Sequence, residues 1–523
     1  MRAQKGKGIV CTPDSRATEA GQAVLRAGGT AIDAMLAAGA VLSVVCPHMC
    51  GIGGDSLWLV SDGNKVDTLM GLGQAGQRLP EGGRIAERGP ASAATTAGAL
   101  RGWSLAQDWS RQRWGSTMTL PDLLETAIAL ARDGYDVSDN LAFWTEQRKG
   151  LIRDLPGLQT LCQDNQGQWL TKGARTRQPQ LAATLSHIAR NGVDDFYDGE
   201  LATALAEGFR KFGNGLTRED LVRTQAWHSK PISVRYRSGT LYNFPPPSQG
   251  LYTLSALNAL NHVDLRAFQN HGSDYFHYLI EAIKAQLVQR NHQLCDPAKG
   301  TLDVPRLLGH GRSAIDFASI DPDIAVPWTE AGQPADTVWL AATDGEGRTA
   351  CLMQSLFHDF GSGCMIGDTG VLWLNRAGGF NPDPTHPNAW APGKRPAFTL
   401  NPSAYLADDG RQFYFGTQGG DGQPQTQMVL ATQLIDFHQS VQQAVTAPRF
   451  LQGRSFFGSS EALKLERNIA PAVADELVRR GHDIEWIPEL SPFCGLAGAI
   501  SVDSSGNLEA MHDPRGDGTA LAG

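Results

Sequence analysis

The feature that most constrains the fold of this chain is an abrupt change in its local pattern near residue 337. Residues 15–27 and 30–44 carry the Ala-rich, Gly-terminated pattern of helices, whereas the chain after residue 337 reads mainly as β-hairpins. Between these regions, residues 320–336 (IDPDIAVPWTEAGQPAD) contain three prolines and little periodicity, which is typical of an exposed linker. The sequence therefore predicts a helix-rich part and a strand-rich part that meet at this linker.

The overall composition narrows the class of protein. Apolar residues make up 41% and charged residues 19% of the chain, which excludes an intrinsically disordered protein. The net charge is −9 and no Lys/Arg cluster dominates, so we expect no nucleic-acid partner. Asp33 interrupts the apolar run at 31–46, so we expect no membrane partner either. Because the N-terminal MRAQKGKGIV lacks the apolar core of a signal peptide, we expect a cytoplasmic protein.

The sequence context does not support a site for a bound metal or a dinucleotide. The eight cysteines are scattered, so we expect buried free thiols and neither a disulfide framework nor a zinc site. The histidines are dispersed as well. Residues 71–76 match G-x-G-x-x-G, but the QRLP that follows does not open a helix, as a dinucleotide site requires. The sequence therefore predicts neither a metal nor an organic cofactor.

Thr337 stands where a cut in the chain would create a catalytic group. A Thr hydroxyl is a weak nucleophile unless a base lies beside it. A cut before Thr337 would free an α-amine, with a pKa near ~8, to act as that base. Such a design needs an exposed, cleavable linker followed directly by a Thr that starts a buried strand, and this sequence has that arrangement. Many strands also begin with Thr after a loop, so the spacing alone leaves both interpretations open.

A series of short segments carries a family resemblance along nearly the whole chain. They are ATEAGQAVLRAGGTAIDAMLAA (17–38), CPHMCGIGGD (46–55), ARDGYDVS (131–138), FYDG (196–199), REDL (218–221), PISVRY (231–236), PPPSQG (245–250), EAIK (281–284), DTVWLAATDGEG (336–347), RPAFTLNP (395–402), GTQGGDGQPQT (416–426), APRF (447–450) and DPR (513–515). In this order they resemble the γ-glutamyltransferase family of N-terminal-nucleophile hydrolases. The resemblance implies an α+β fold, a four-layer αββα sandwich, that cleaves itself into a large subunit (1–336) and a small subunit (337–523) forming one intertwined domain.

The resemblance also implies catalytic roles. Thr337 matches the family nucleophile, with cleavage between Asp336 and Thr337, and the freed α-amine acts as general base and then general acid. Gly419 and Gly420 match the pair whose backbone N–H groups form the oxyanion hole, where a Cβ would obstruct the approach. A hairpin turn is the alternative for this pair. Ser355 matches a family Thr whose hydroxyl supports the nucleophile's amine, and a buried Ser bonded to backbone is the alternative.

The residues expected to hold the acyl group depart from the γ-glutamyl pattern. The family's carboxylate-binding Arg has no clear match, since Arg78 and Arg84 are only neighbours of its position. The positions of the family's Asn, Asp, paired Ser and Gln fall at Phe357, Gly379, Phe398 with Thr399, and Arg376. The site has thus lost the anion that would pair an ammonium. The site has gained the aromatic rings of Phe357 and Phe398, which narrow the pocket. It has also gained the guanidinium of Arg376, which can bind a carboxylate through two hydrogen bonds. His358 is a candidate additional donor.

These departures favour a small, anionic acyl group that carries no amine, because a buried ammonium without its partner is costly. Within the family the pattern resembles the branch that hydrolyses oxamate to oxalate and ammonia in purine (uric acid) degradation, through an acyl-enzyme on the N-terminal Thr. Three alternatives remain: a γ-glutamyltransferase or glutathione hydrolase, a glutaryl-cephalosporin-type acylase, and a non-catalytic relative that stays uncut. The expected partners are a small anionic amide and the chain's own second cleavage fragment, as a heterodimer.

Overall fold

Two seven-stranded antiparallel sheets form the centre of the molecule in a computed structural model, which describes residues 1–164, 166–331, 335–454 and 460–523. A three-stranded and a two-stranded sheet lie outside them. The strands are β1 (Arg2–Ala3), β2 (Ile9–Thr12), β3 (Asp55–Ser61), β4 (Val66–Gly71), β5 (Tyr135–Asp136), β6 (Arg175–Thr176), β7 (Trp227–Ser229), β8 (Ile232–Tyr236), β9 (Gly239–Asn243), β10 (Asp336–Thr343), β11 (Thr349–Phe357), β12 (Ser403–Ala407), β13 (Gln412–Thr417), β14 (Phe450–Gln452), β15 (Leu463–Glu466), β16 (Ile484–Ile487), β17 (Ala497–Val502), β18 (Leu508–His512) and β19 (Thr519–Ala522).

The described residues also form eighteen α-helices. They are α1 (Ser15–Arg26), α2 (Ala31–Val45), α3 (Ala99–Trp109), α4 (Leu120–Asp133), α5 (Asp139–Gln147), α6 (Lys149–Asp154), α7 (Pro156–Cys162), α8 (Pro179–Asn191), α9 (Asp195–Asp198), α10 (Glu200–Phe212), α11 (Arg218–Val222), α12 (Gly250–Leu260), α13 (Ser273–Gln293), α14 (Val304–Leu307), α15 (His310–Ala318), α16 (Gly422–Ala431), α17 (Val441–Thr446) and α18 (Pro471–Arg479).

Both large sheets combine strands from the two sides of residue 337. One has the order β19-β2-β10-β11-β3-β4-β7, so β10 pairs with β2 from the N-terminal end of the chain. The other has the order β1-β18-β17-β13-β12-β9-β8, in which β12 pairs with β9. The helix-rich and strand-rich parts of the sequence are therefore interleaved and are not separate domains.

Three apolar cores separate the layers. The core between the sheets takes Leu57 and Trp339 from one sheet and Tyr414 and Ile500 from the other. Helices α1 to α4 pack on the outer face of the β10 sheet, and α12, α13 and α16 pack on the outer face of the other sheet. This arrangement confirms the predicted α+β fold with αββα layering.

Helix α2 shows how local sequence and burial combine beneath the site. Thr30 and Asp33 form a reciprocal capping box at its N-terminus, which satisfies backbone donors that would otherwise lack partners. All its residues are buried, and small side chains let it lie close to the sheet. A Cβ on Gly39 would lie 2.8 Å from Leu352 Cδ2 of β11. No helix in the described ranges has the length and apolar character needed to cross a membrane.

The predicted exposed linker is exposed only in its first part. Ile324 and Val326 are 63% and 54% exposed, but Ala335, Asp336 and Thr337 are fully buried. Residues 332–334 of this segment lie outside the described residues. The expectation of an exposed junction is therefore wrong at the junction itself, because β10 begins at Asp336 inside the sheet. The eight cysteines are free and buried, as predicted.

Candidate active site

Thr337 lies in a bulge at the start of β10, where the pairing with β11 shifts between Asp336 and Val338. The extra residue is on β11, because Ser355 and Leu356 together lie opposite Thr337. Thr337 Oγ donates a hydrogen bond to the Asp336 carbonyl oxygen at 2.6 Å. Ser355 Oγ, on β11, donates to the same carbonyl oxygen. The chain is continuous here, so two hydroxyls converge on the carbonyl of the predicted scissile bond.

Ser355 therefore has a different partner from the one predicted for it. Its hydroxyl donates to a backbone carbonyl and accepts from Phe357 N at 2.8 Å. The alternative of a buried Ser bonded to backbone describes this uncut chain. Support of the Thr337 amine stays a prediction, because that amine exists only after cleavage.

The side chain of Asp336 is enclosed beside the amide of Thr337. Its Oδ1 accepts from Thr337 N at 3.0 Å. Its Oδ2 has no hydrogen-bond partner among the described residues. Burial, reinforced by the nearby Asp359 carboxylate, raises the pKa of Asp336 well above its usual range. The neutral carboxyl is therefore favoured at this position.

The loop that follows β13 contacts Thr337 from both of its ends. The Gln418 amide, oriented so that its nitrogen faces acceptors, donates to Thr337 O at 3.0 Å. Gln423 Nε2 donates to Thr337 Oγ at 3.4 Å. Between these residues, Gly419 and Gly420 have φ angles of 118° and 53°, which favour glycine. Within the described chain their N–H groups donate no hydrogen bond, so both are available to an oxyanion.

A buried polar network holds this loop in place. Arg290 pairs in two-pronged fashion with Asp421, at 2.6 and 2.9 Å. Arg290 Nη1 also donates to Gln249 Oε1 at 2.8 Å, and Gln249 Nε2 donates to Gly420 O at 3.0 Å. The loop joins β13 to α16, so the hairpin-turn alternative for Gly419 and Gly420 is wrong.

Arg376 lies fully buried between two aromatic rings. Its guanidinium carbon is 4.1 Å from the centroid of the Phe357 ring and 4.5 Å from that of Phe398. Its three guanidinium nitrogens make no hydrogen bond to any described residue. Burial lowers the pKa of Arg376 to about 10, so the side chain remains charged at neutral pH. A carboxylate is the partner that would satisfy such donors.

An acidic side chain that the sequence analysis did not single out lies beside this guanidinium. Asp55 Oδ2 is 3.8 Å from Arg376 Nε, and Asp55 Oδ1 accepts from Gly73 N and Gly98 N at 2.6 and 3.1 Å. Burial raises the pKa of Asp55 to about 6, against the opposing effect of Arg376. The expectation that the site has lost its anion is therefore wrong in this respect. The acid comes from the end of the GIGGD segment and not from the position of Gly379.

The Gly-rich segment 71–76 packs closely against neighbouring backbone and donates a hydrogen bond to the Asp55 carboxylate. No helix opens directly after it, as the QRLP sequence predicts. A Cβ on Gly73 would lie 1.6 Å from Thr96 O, so only glycine fits there. The close approach places the Gly73 amide on Asp55.

Three of the predicted acyl-binding residues line a cavity of about 430 Å³. Phe357, Phe398 and Thr399 form part of its wall, and the hydroxyl of Thr399 has no partner among the described residues. Glu330 of the linker lines the same cavity, where Asn291 Nδ2 donates to its carboxylate at 2.7 Å. Thr337 and Arg376 are fully buried, the latter behind the two phenyl rings, so the uncut chain leaves neither exposed to a substrate.

His358 lies on the other side of Phe357. Its ring stacks on the Phe357 ring with centroids 4.2 Å apart, and it lines a second cavity of about 970 Å³. Burial, with a contribution from Arg88, lowers the pKa of His358 to about 3. Its Nδ1 accepts from Asn375 Nδ2 at 3.0 Å, which leaves the proton on Nε2. The ring is therefore neutral, and its role as a donor to substrate stays a prediction.

Among the described residues, one group of potential metal ligands lies away from this site. His277, Glu281 and His482 bring ligand atoms within 4.8 Å of one another. Lys284 Nζ donates to Glu281 Oε1 at 2.8 Å, so an ammonium already neutralises this carboxylate. His277 also bonds His482 at 3.0 Å. These three residues already make hydrogen bonds, and the positive charge of the neighbouring Lys284 disfavours the binding of a metal cation.

Five of the residues missed from the sequence share one property. Asp55, Gln249, Gln418, Asp421 and Gln423 all lie inside the segments that carry the family resemblance. Membership of those segments is the signal that marks them. Their partners are distant in sequence, and only the folded chain brings the pairs together.

Comparison with known proteins agrees with the fold. The gamma-glutamyltranspeptidase family model matches residues 17–523. The oxamate amidohydrolase proenzyme of Klebsiella pneumoniae is 38% identical, covering 98% of both chains, and the glutathione hydrolase-like YwrD proenzyme of Bacillus subtilis is 34% identical, also covering 98% of both. The crystal structure of a cephalosporin acylase from Bacillus halodurans superposes with a TM-score of 0.90 at 30% identity, covering 100% of this chain and 96% of that one. The chain therefore belongs to the gamma-glutamyltranspeptidase family of N-terminal-nucleophile hydrolases.

Proposed function

We propose that this enzyme cuts its own chain between Asp336 and Thr337 and then hydrolyses a small anionic amide, with oxamate as the expected substrate and oxalate and ammonia as products. The observation that carries the choice of substrate is the buried Arg376 guanidinium, whose donors are unpartnered among the described residues. A short anionic acyl group supplies the missing partner. The 38% identity to an oxamate amidohydrolase proenzyme supports the same choice.

Processing comes first because Thr337 is chemically and physically blocked in the uncut chain. Its nitrogen is part of a peptide bond and therefore cannot act as a base. The cut frees the α-amine, produces subunits of residues 1–336 and 337–523, and releases the segment that ends at Asp336. Displacement of that segment would open the route from the cavity to Thr337.

The reaction then follows from the groups around Thr337. Its Oγ attacks the amide carbonyl while its α-amine takes the hydroxyl proton. The negative oxygen is held by the free N–H groups of Gly419 and Gly420. The α-amine returns the proton to the leaving nitrogen, so ammonia departs and the acyl group stays on Oγ. Water repeats the sequence and releases the second carboxylate, while Arg376 holds the first one throughout.

The experiment combines intact mass, N-terminal sequencing and an ammonia assay. We expect the purified protein to yield two fragments, the smaller beginning at Thr337, and to release ammonia from oxamate. We expect Thr337→Ala to remain a single 56.2 kDa chain without activity. Cleavage at the same bond in Thr337→Ala would overturn the nucleophile assignment. Activity on γ-glutamyl-p-nitroanilide but not on oxamate would overturn the substrate.

A second candidate is an acylase that acts on larger amides such as glutaryl-cephalosporins. It is favoured by the similarity to the cephalosporin acylase structure and by the cavity of about 970 Å³ beside Phe357. The two candidates differ in the length of the acyl chain that fits in front of Arg376. A kcat/KM higher for glutaryl amides than for oxamate would select the acylase.

A further inference from the structure

The Asp336 carboxyl has surroundings that the hydrolysis of substrate does not explain. It is fully buried at the scissile bond, with Oδ1 at 3.0 Å from Thr337 N. Its Oδ2 is buried without a partner among the described residues, so one oxygen is left to carry a proton. A fully buried carboxyl with an unsatisfied oxygen costs stability, and nothing in the hydrolytic mechanism requires it.

We propose that Asp336 is a catalytic residue of the self-cleavage, in which its carboxyl delivers a proton to the nitrogen of Thr337 as the peptide bond breaks. This inference rests on the proposed self-processing and deepens it. The reacting groups already lie in order, because Thr337 Oγ is 2.6 Å from the Asp336 carbonyl oxygen and Ser355 Oγ donates to that oxygen. The carboxyl is the acidic side chain in contact with the departing nitrogen.

The step balances without any further reactant. A bond forms between Thr337 Oγ and the carbonyl carbon of Asp336, and the bond from that carbon to Thr337 N breaks. The Thr337 nitrogen gains the proton carried by Asp336 Oδ2, after the carboxyl has rotated away from the contact of its Oδ1 with the N–H, and the resulting carboxylate takes up the proton that the attacking hydroxyl releases. The product is an ester that water hydrolyses, which leaves a free Thr337 hydroxyl and a new α-carboxylate on Asp336. Ser355 stabilises the charge on the carbonyl oxygen while the tetrahedral intermediate exists.

The charged groups around the carboxyl favour the acid form that this step needs. Burial and the Asp359 carboxylate both raise the pKa of Asp336. Arg88 and Arg148 oppose them but are themselves paired to Asp359, at 3.0 and 2.6 Å. Cys50 also faces Asp336, and the Asp336 charge contributes to raising the pKa of its thiol. The acid is therefore kept neutral by its surroundings, as general acids in enzymes are.

The test measures the rate of self-cleavage directly. Labelled chain is made by cell-free translation, chased in buffers from pH 6 to pH 9, and followed by gel and intact mass. Asp336→Asn retains the shape and the oxygen that accepts from Thr337 N, but it has no acidic proton. We expect it to cleave roughly 100-fold more slowly, the typical contribution of a positioned acid. We expect wild-type cleavage to slow as the pH rises through the pKa of Asp336, and the slow Asp336→Asn rate not to follow that profile.

Two further variants keep the result interpretable. Asp316→Asn removes a buried carboxylate that pairs with Arg312 at 2.9 Å on α15, and we expect wild-type cleavage from it. Asp336→Ala removes a buried carboxyl that costs stability, so we expect it to fold with a melting temperature no lower than that of the uncut Thr337→Ala chain and to cleave as slowly as Asp336→Asn. Wild-type rates in both Asp336 variants would overturn the inference. If they cleave normally while Thr337→Ala does not, this inference fails and the proposed function stands.

Discussion

Replacing Arg376 by Met tests the substrate-binding role most directly. Met fills much of the same volume between Phe357 and Phe398, so the two rings keep a neighbour, whereas Ala would leave a cavity. The change removes the positive charge and every donor. We expect KM for oxamate to rise strongly, with kcat changed by less than about threefold, because the carboxylate contact is made equally in the ground and transition states.

The size of the effect follows from the geometry. A two-pronged guanidinium–carboxylate contact consists of two charge-assisted hydrogen bonds, and its loss costs about 2–4 kcal/mol. At 1.4 kcal/mol per tenfold change, KM rises roughly 30- to 1000-fold. The melting temperature of Arg376→Met should not follow the loss of substrate binding. Burial lowers the pKa of Arg376 to about 10, which means that the empty protein holds this charge at a cost. We therefore expect no fall in the melting temperature, provided that Asp55 takes up a proton.

The assay compares ammonia release from oxamate with that from oxamide, a neutral amide of the same size. Arg376→Met should lose the preference for oxamate and leave the rate with oxamide nearly unchanged. Arg101→Met is the matched control, since its guanidinium carbon also lies 4.1 Å from a ring centroid, that of Tyr197, away from the site. The double variant with Asp55→Asn removes the carboxylate left unpaired. A KM for oxamate within twofold of wild type, or equal losses on both substrates, would refute the reasoning.

Two further predictions concern the residues around this site. Above pH 6, an ionised Asp55 lies 3.8 Å from Arg376 Nε and competes with a substrate carboxylate for that guanidinium; two unit charges at this separation interact by about 4 kcal/mol at an effective dielectric constant near 20. We expect KM for oxamate to fall as the pH drops below 6 and Asp55 takes up a proton. Asp55→Asn should lower KM at pH 8 by about tenfold and abolish that pH dependence. A KM that does not change with pH contradicts this. Arg290→Lys keeps the charge but loses the two-pronged contact with Asp421, so the loop that carries Gly420 becomes less well positioned. We expect kcat to fall 10- to 100-fold with KM unchanged, and a rise in KM alone would contradict a positioning role.

The sequence predicts local elements well where local physics decides them. The helix expected over residues 30–44 is found at Ala31–Val45, because a capping box starts it and an apolar run sustains it. The amphipathic pattern over residues 273–293 likewise predicts a helix, and the structure has one at Ser273–Gln293. The sequence also predicts a helix over about 424–439, of which the α-helical part lies at Gly422–Ala431 and is followed by a wider turn. Such ends depend on packing more than on propensity.

The site was predictable only in part. The resemblance named Thr337, Gly419 and Gly420, and in the folded chain the loop of the two glycines contacts Thr337. It also named Arg376 and Phe398, which lie in contact. It did not supply Asp55, because a buried ion pair joins residues whose positions along the chain are unrelated. Nor could the composition of residues 320–336 show that the last residues of this predicted linker enter a sheet.

By itself the sequence determined the hydrolase family, the site of the change in pattern at Thr337, and most of the helices, because each of these depends on residues close together in the chain. The tertiary structure decided that β10 lies inside a sheet between β2 and β11, which buries the bond between Asp336 and Thr337 and interleaves strands from both parts of the chain. It also decided the ionisation of the site. Burial favours the neutral form of Asp336. Burial also raises the pKa of Asp55, whereas the neighbouring Arg376 lowers it. Desolvation acts on these groups only once distant parts of the chain have closed around them.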